Sequence, residues 1–273
     1  MTDAPRQPGP WEEAEGLRPG APAPATAAEP ATAASGRTKE IVWALISSAL
    51  IALWLGWRMG PVVAIAGVFG ILVHELGHLF AINRLGCGPG KIHFIPFLGG
   101  AATARRASPT EWIDVLIALA GPAVGILAAL PFFAIWAVTN QAMWLDGAIF
   151  IAVINLLNLA PAPPLDGSKA LGPVLARLHP QVERVALVLV GGLAILWAVE
   201  RNAFFLAVFM GFGLFLTLRS ARMRPQAVKL DGRQQAAAFA LWAATAGLCL
   251  GTLYAAFRLA GSKSDLLTLL GSI

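Results

Sequence analysis

Charge is scarce in this chain: only 13% of its 273 residues are Asp, Glu, Lys or Arg, against about 25% in a typical soluble domain. A water-soluble fold is excluded by that shortage together with a hydrophobic share of 57% and a mean hydropathy of +0.69. Cysteine is nearly absent too. Cys87 lies in a connecting segment and Cys249 in a late apolar run, so neither a disulfide framework nor a cysteine-based metal site is available. Both read as small buried residues. No basic start followed by a short apolar core opens the chain, so residues 1–40 do not read as a signal peptide. Rich in Ala and Pro and without an apolar run, they read as a disordered tail. A net charge of +5 does not point to nucleic acid, because the basic residues are spread over loops instead of gathered on one face.

What the chain does have is long apolar runs. Seven are candidates to cross a bilayer, near Ile41–Trp57, Pro61–Arg84, Trp112–Val138, Met143–Leu159, Val185–Val199, Ala203–Leu218 and Ala236–Phe257. The fifth is the shortest. The expected fold is an all-α polytopic bundle of six to seven spans, with a short extended or hairpin segment between the second and third. With the N-terminus inside, sixteen of the twenty Lys and Arg fall on the cytoplasmic side, and only Arg58, Arg201, Arg258 and Lys263 on the other. That asymmetry is the one the positive-inside rule predicts. An integral, multi-pass protein of the cell membrane with a cytoplasmic N-terminus is therefore expected.

Within the second run stands Val73-His74-Glu75-Leu76-Gly77-His78. Ionisable residues at the centre of a spanning helix cost about 2.5–3.5 kcal/mol each on insertion scales, and function is the usual reason for keeping them. His74 and His78, at i and i+4, share one helix face. Glu75 is spaced to take a proton from a water held by a metal on that face. Catalytic zinc commonly takes three protein ligands and leaves a position open, so a third must come from elsewhere. The other histidines, His93 and His179, read as loop residues. Asp166 is the strongest candidate, in Asn155-Leu-Leu-Asn158-Leu-Ala-Pro161-Ala-Pro163-Pro164-Leu165-Asp166-Gly167. The prolines must break the fourth span near Ala160, and irregular backbone at membrane depth is tolerated only where it is buried in protein or lines a wet cavity. Capping of a short helix from Ser168 to Leu178 is the alternative role for Asp166.

Together, His-Glu-Leu-Gly-His in one span and Asn158-x-x-Pro161-x-x-x-Leu165-Asp166-Gly167 after a later one resemble the site-2 protease family of intramembrane zinc metalloproteases. The resemblance covers about residues 61–170 and includes Phe97-Leu98-Gly99-Gly100 and Ala120-Gly121-Pro122. It implies zinc on His74, His78 and Asp166, Glu75 as general base, and Asn158 as a polar group near the substrate or developing oxyanion. It implies a transmembrane protein as substrate and the lipid bilayer as surroundings. Residues 61–170 would be the catalytic membrane core, with an accessory first span at 41–60 and accessory C-terminal spans and loops at 171–273. A non-proteolytic, metal-containing membrane protein that binds partner helices is the alternative, and an unused base at position 75 speaks against it. The oligomeric state cannot be read from the sequence.

Lys91 to Thr103 reads as two short extended arms about a Gly99-Gly100 turn, because Pro96 interrupts any helix. An exposed edge there could hold a substrate extended by strand addition, or the segment could simply connect two spans. The pairs Gly121/Gly125 and Gly247/Gly251 predict close helix packing. Glu111, Asp114, Asp146 and Glu200 read as interfacial charges.

Overall fold

The structure is a computed structural model that describes residues 31–95, 99–178, 180–200, 204–220 and 228–261. The helices are α1 (Ala31–Met59), α2 (Pro61–Arg84), α3 (Glu111–Gly125), α4 (Leu130–Thr139), α5 (Met143–Asn158), α6 (Asp166–Leu178), α7 (Pro180–Glu200), α8 (Phe204–Ser220) and α9 (Gly232–Ala260). A 3₁₀ turn at Ile126–Ala129 joins α3 to α4, and strands β1 (Lys91–Ile95) and β2 (Gly99–Thr103) stand between α2 and α3. Each expected apolar run corresponds to a helix or, for the third, the α3–α4 series, with Leu159 just beyond α5 and Ala203 outside the described residues. The all-α expectation with one hairpin is met.

Three stretches among the described residues are long and apolar enough to cross a membrane: Pro61–Arg84, Glu111–Thr139 and Gly232–Ala260. Met143–Asn158 and Val185–Leu196 are shorter apolar helices. Large apolar side chains remain exposed on these helices, including Phe80, Leu157, Leu193 and Tyr254. Exposed apolar side chains on long apolar helices fit a lipid-facing surface.

Residues 1–30 of the expected tail lie outside the described residues, as does His179. The helix α1 begins at Ala31, ten residues before the expected first span. Its opening residues, Ala31-Thr-Ala-Ala, include strong helix formers that extend an apolar helix outward. Gly60, at φ +91°, turns the chain between α1 and α2, and Pro61 opens α2 at the position where its missing N–H costs no hydrogen bond.

Three clusters of buried side chains make the core among the described residues, the smallest joining Leu55 of α1 to Val63 and Ala64 of α2. A second joins Val62 and Ala66 of α2 to Phe132, Ala148, Ile149, Ile151 and Ala256. The third joins Val115, Ala118 and Leu119 of α3 to Ala152, Leu159, Ala170, Leu230, Ala238 and Cys249. The last helix therefore shares the core of α3, α5 and α6. Between α2 and α3 the backbones come close: a Cβ at Gly77 would collide with the carbonyl oxygen of Ala120. This places the histidine face of α2 directly on α3.

The hairpin differs from expectation in its register. Gly99 and Gly100 are paired strand residues, opposite Ile95 and Phe94 in the antiparallel ladder. The connecting residues 96–98 lie outside the described residues.

One further expectation fails: a Cβ at Gly247 or Gly251 would meet nothing within 4 Å among the described residues, so these glycines make no tight helix contact there. Glu111, at the start of α3, accepts the Leu230 N–H on its Oε2 at 3.1 Å. Asp146 is buried at 4% exposure, in the first turn of α5 where the helix dipole favours an anion.

Candidate metal centre

The two histidines and Asp166 come from separate elements and meet at one point. His74 and His78 lie on consecutive turns of α2, and both are buried. Three prolines after Ala160 stop α5 and let the chain turn back before α6 begins at Asp166. The resulting triangle has His74 Nε2 3.0 Å from His78 Nε2. Asp166 Oδ2 lies 3.1 Å from each of them.

What holds the imidazoles decides their chemistry. Asn155 donates from Nδ2 to the Ile151 carbonyl at 2.8 Å, which turns its Oδ1 toward His74. His74 Nδ1–H donates to that oxygen at 3.0 Å. His78 Nδ1–H donates to the Ile117 carbonyl at 2.7 Å. That carbonyl belongs to α3, the helix packed against the histidine face of α2. With both protons on Nδ1, each Nε2 presents a lone pair to the other and to the carboxylate.

Three acceptors converging without a proton between them form a cation site. The separations of 3.0 to 3.1 Å are close to the about 3.3 Å that separates ligands of a tetrahedral zinc bound at 2.0–2.1 Å. His74, His78 and Asp166 form the metal-capable cluster found among the described residues. The Asp166 carboxylate supplies the negative charge of the cluster. It is therefore the anion that a divalent metal needs. The donor set fits zinc.

Space for an ion is kept by Gly121. A Cβ there would strike His78 Nε2 and would lie 2.8 Å from His74 Nε2. One turn further, a Cβ at Gly125 would strike Asn155 Oδ1. The sequence reading assigned this glycine pair to helix packing alone. The pair does allow that close packing, and the groups it lets approach are the Nε2 edges of the histidines and the amide that orients one of them.

Glu75 is buried beside the triangle, and its Oε2 has no hydrogen-bond partner among the described residues. An unpartnered buried carboxylate oxygen is costly unless something occupies the space before it. The Ala102 amide of β2 acts on the same carboxylate, so the hairpin approaches the site.

Asn158 is not drawn into the triangle; its Nδ2 donates to the Ile154 carbonyl of its own helix at 3.3 Å. Asn155, three residues earlier, is the asparagine that contacts a histidine. A helical turn separates the two, and only the facing of α5 toward α2 distinguishes them. His93 is paired through its backbone with Ala101 in the hairpin.

Comparison with known proteins agrees with this geometry. Residues 62–150 match peptidase family M50. The M50 match bears out the resemblance to the site-2 proteases, and it spans His74, Glu75 and His78. The candidate zinc metalloprotease sll0528 of Synechocystis sp. is 29% identical over 126 residues, covering 44% of this chain and 32% of that protein. The candidate zinc metalloprotease Rip3 of Mycobacterium tuberculosis is 30% identical over 131 residues, covering 45% of this chain and 33% of its own. The matched region thus spans about a third of the length of these curated relatives. No solved structure matches the chain.

Proposed function

We propose that the chain is an intramembrane zinc metalloendopeptidase that hydrolyses a peptide bond in or near a transmembrane segment of a membrane-protein substrate. The observation that carries this reading is the convergence of His74 Nε2, His78 Nε2 and Asp166 Oδ2, beside the buried carboxylate of Glu75, on a helix long and apolar enough to span a bilayer. The M50 match and the zinc-metalloprotease relatives support the same chemistry.

His74, His78 and Asp166 would hold the metal. Zinc in that position supplies Lewis-acid polarisation of a carbonyl and acidifies water toward a pKa of about 7. Glu75 accepts the proton of the attacking water and passes it to the leaving amine nitrogen. Asn155 keeps His74 in the tautomer whose Nε2 is free, and Ile117 does the same for His78. Asn158, beyond the helical turn that carries Asn155, is assigned to the substrate side of the site.

A peptide bond in a substrate helix is shielded by its own hydrogen bonds, so the substrate must be held extended. The β1–β2 hairpin supplies a free strand edge for that purpose, and the Ala102 amide brings β2 to the base. The distribution of Lys and Arg supports a cytoplasmic N-terminus and insertion in the cell membrane. Residues 61–170 carry the reacting groups.

Quantitative proteomics of membrane fractions containing the wild type or Glu75→Gln tests the proposal. A membrane-protein fragment produced only by the wild type is expected. Identical fragment profiles, with zinc bound to both proteins, would favour a metal-containing protein that binds partner helices without cutting them.

A further inference from the structure

Leu159 is the buried C-cap residue of α5, and its carbonyl has lost its helical donor. In a continued helix that donor would be the N–H of residue 163, and residue 163 is a proline. A buried acceptor left in this way requires a partner from elsewhere. It receives one from the last helix: Trp242 Nε1–H donates to Leu159 O at 2.9 Å.

The same carbonyl is what Asp166 rests on through its neighbour. A Cβ at Gly167 would collide with the Leu159 and Ala160 oxygens, so the Asp166–Gly167 turn lies directly against the carbonyl that Trp242 pins. α9 also grips the helix that Asp166 begins. Gln235 Nε2 donates to Val174 O at 3.2 Å. Just before α9, Leu230 O accepts from Arg177 Nε and Nη2 at 3.0 and 2.5 Å. The chain is thus held by α9 both before and after Asp166.

Resting on the metal-centre reading above, we infer that Trp242 is a positioning residue of that centre, setting the place of Asp166 through the Leu159 carbonyl. The C-terminal helix is then a working part of the site and not an accessory span. Trp242 touches no metal ligand itself. Its role is to fix the break from which the carboxylate projects.

The experiment uses the full chain in detergent, with Trp242→Phe, which keeps a ring to stack on Phe239 but has no N–H. Substitution of benzothienylalanine at position 242 keeps the whole indole shape and removes only the donor, so it serves where the Phe variant does not accumulate. Trp144→Phe is the control, since that indole N–H is buried without a partner among the described residues, at the opposite end of α5. Zinc affinity is measured by chelator competition and ligand geometry by the visible absorption of the Co²⁺-loaded protein. Amide deuterium uptake across residues 160–170 is followed in the metal-free protein.

Loss of the donor at 242 should weaken zinc affinity by about 10-fold or more, alter the Co²⁺ bands and raise deuterium uptake at 160–170. Trp144→Phe should change none of these. Unchanged affinity and Co²⁺ bands at 242, or equal losses in the control, would overturn the inference. A wild type that takes up neither Zn²⁺ nor Co²⁺ would instead overturn the metal-centre reading, and this inference with it.

Discussion

Asn155 and His74, 81 residues apart in sequence, are joined by a 3.0 Å hydrogen bond in which the imidazole Nδ1–H donates to the amide oxygen. That bond, and not proximity to the metal position alone, leaves the other ring nitrogen as a free ligand. Asn155→Leu, which removes the acceptor at similar volume, should lower zinc affinity by about 10- to 100-fold. Asn158→Leu should leave zinc affinity near wild type while reducing turnover. Chelator titration of both variants checks the distinction, and the reverse pattern would exchange the roles of the two asparagines.

Glu75→Gln should abolish cleavage and retain zinc near one equivalent. Glutamine preserves the shape of the side chain but cannot accept the proton. Turnover of the purified variant close to wild type would end the assignment of the base.

Asp166→Ala should lose zinc and activity together, whereas His93→Ala and His179→Ala should keep zinc. If Asp166 only capped α6, its removal would cost about 0.5–2 kcal/mol of stability and leave the metal in place. Metal analysis of the three purified variants separates these outcomes.

Gly121→Ala should expel the metal without touching a ligand, because the added methyl would enter the space between the Nε2 edges of His74 and His78. Gly247→Ala, where the added carbon meets nothing within 4 Å, should bind zinc normally. Equal zinc content in the two variants would mean that the imidazoles move aside.

A cysteine introduced between Arg219 and Arg233 should react with an impermeant reagent only after the cytoplasmic face is exposed. The sixteen-to-four division of Lys and Arg motivates this expectation. Labelling in intact cells would invert the orientation.

The parts of this site that were legible in the sequence are those fixed by local chemistry. His74 and His78 share a face because of helical period alone, and Pro161, Pro163 and Pro164 announce a break wherever they occur. The hairpin was visible as extended arms, but its register depends on which residues pair across it, so Gly99 and Gly100 were misplaced into the turn. Asn155, Gly121, Glu111 and Trp242 owe their roles to contacts between distant helices. Nothing in the spacing of a single helix says which asparagine will face a histidine or which tryptophan will meet an orphaned carbonyl.

The helix that carries Asn155 is also short. Its 16 residues, Met143–Asn158, rise about 24 Å, while the hydrocarbon core of a bilayer is about 30 Å thick. A span with that hydrophobic mismatch draws the surrounding leaflet inward or admits water at its truncated end. The truncated end of α5 is where the prolines and Asp166 follow, so under the proposed function a dent in the bilayer would coincide with the polar break. Lipid thickness would then be a variable of the proposed reaction: hydration of the site should fall as the host membrane thins toward the length of α5.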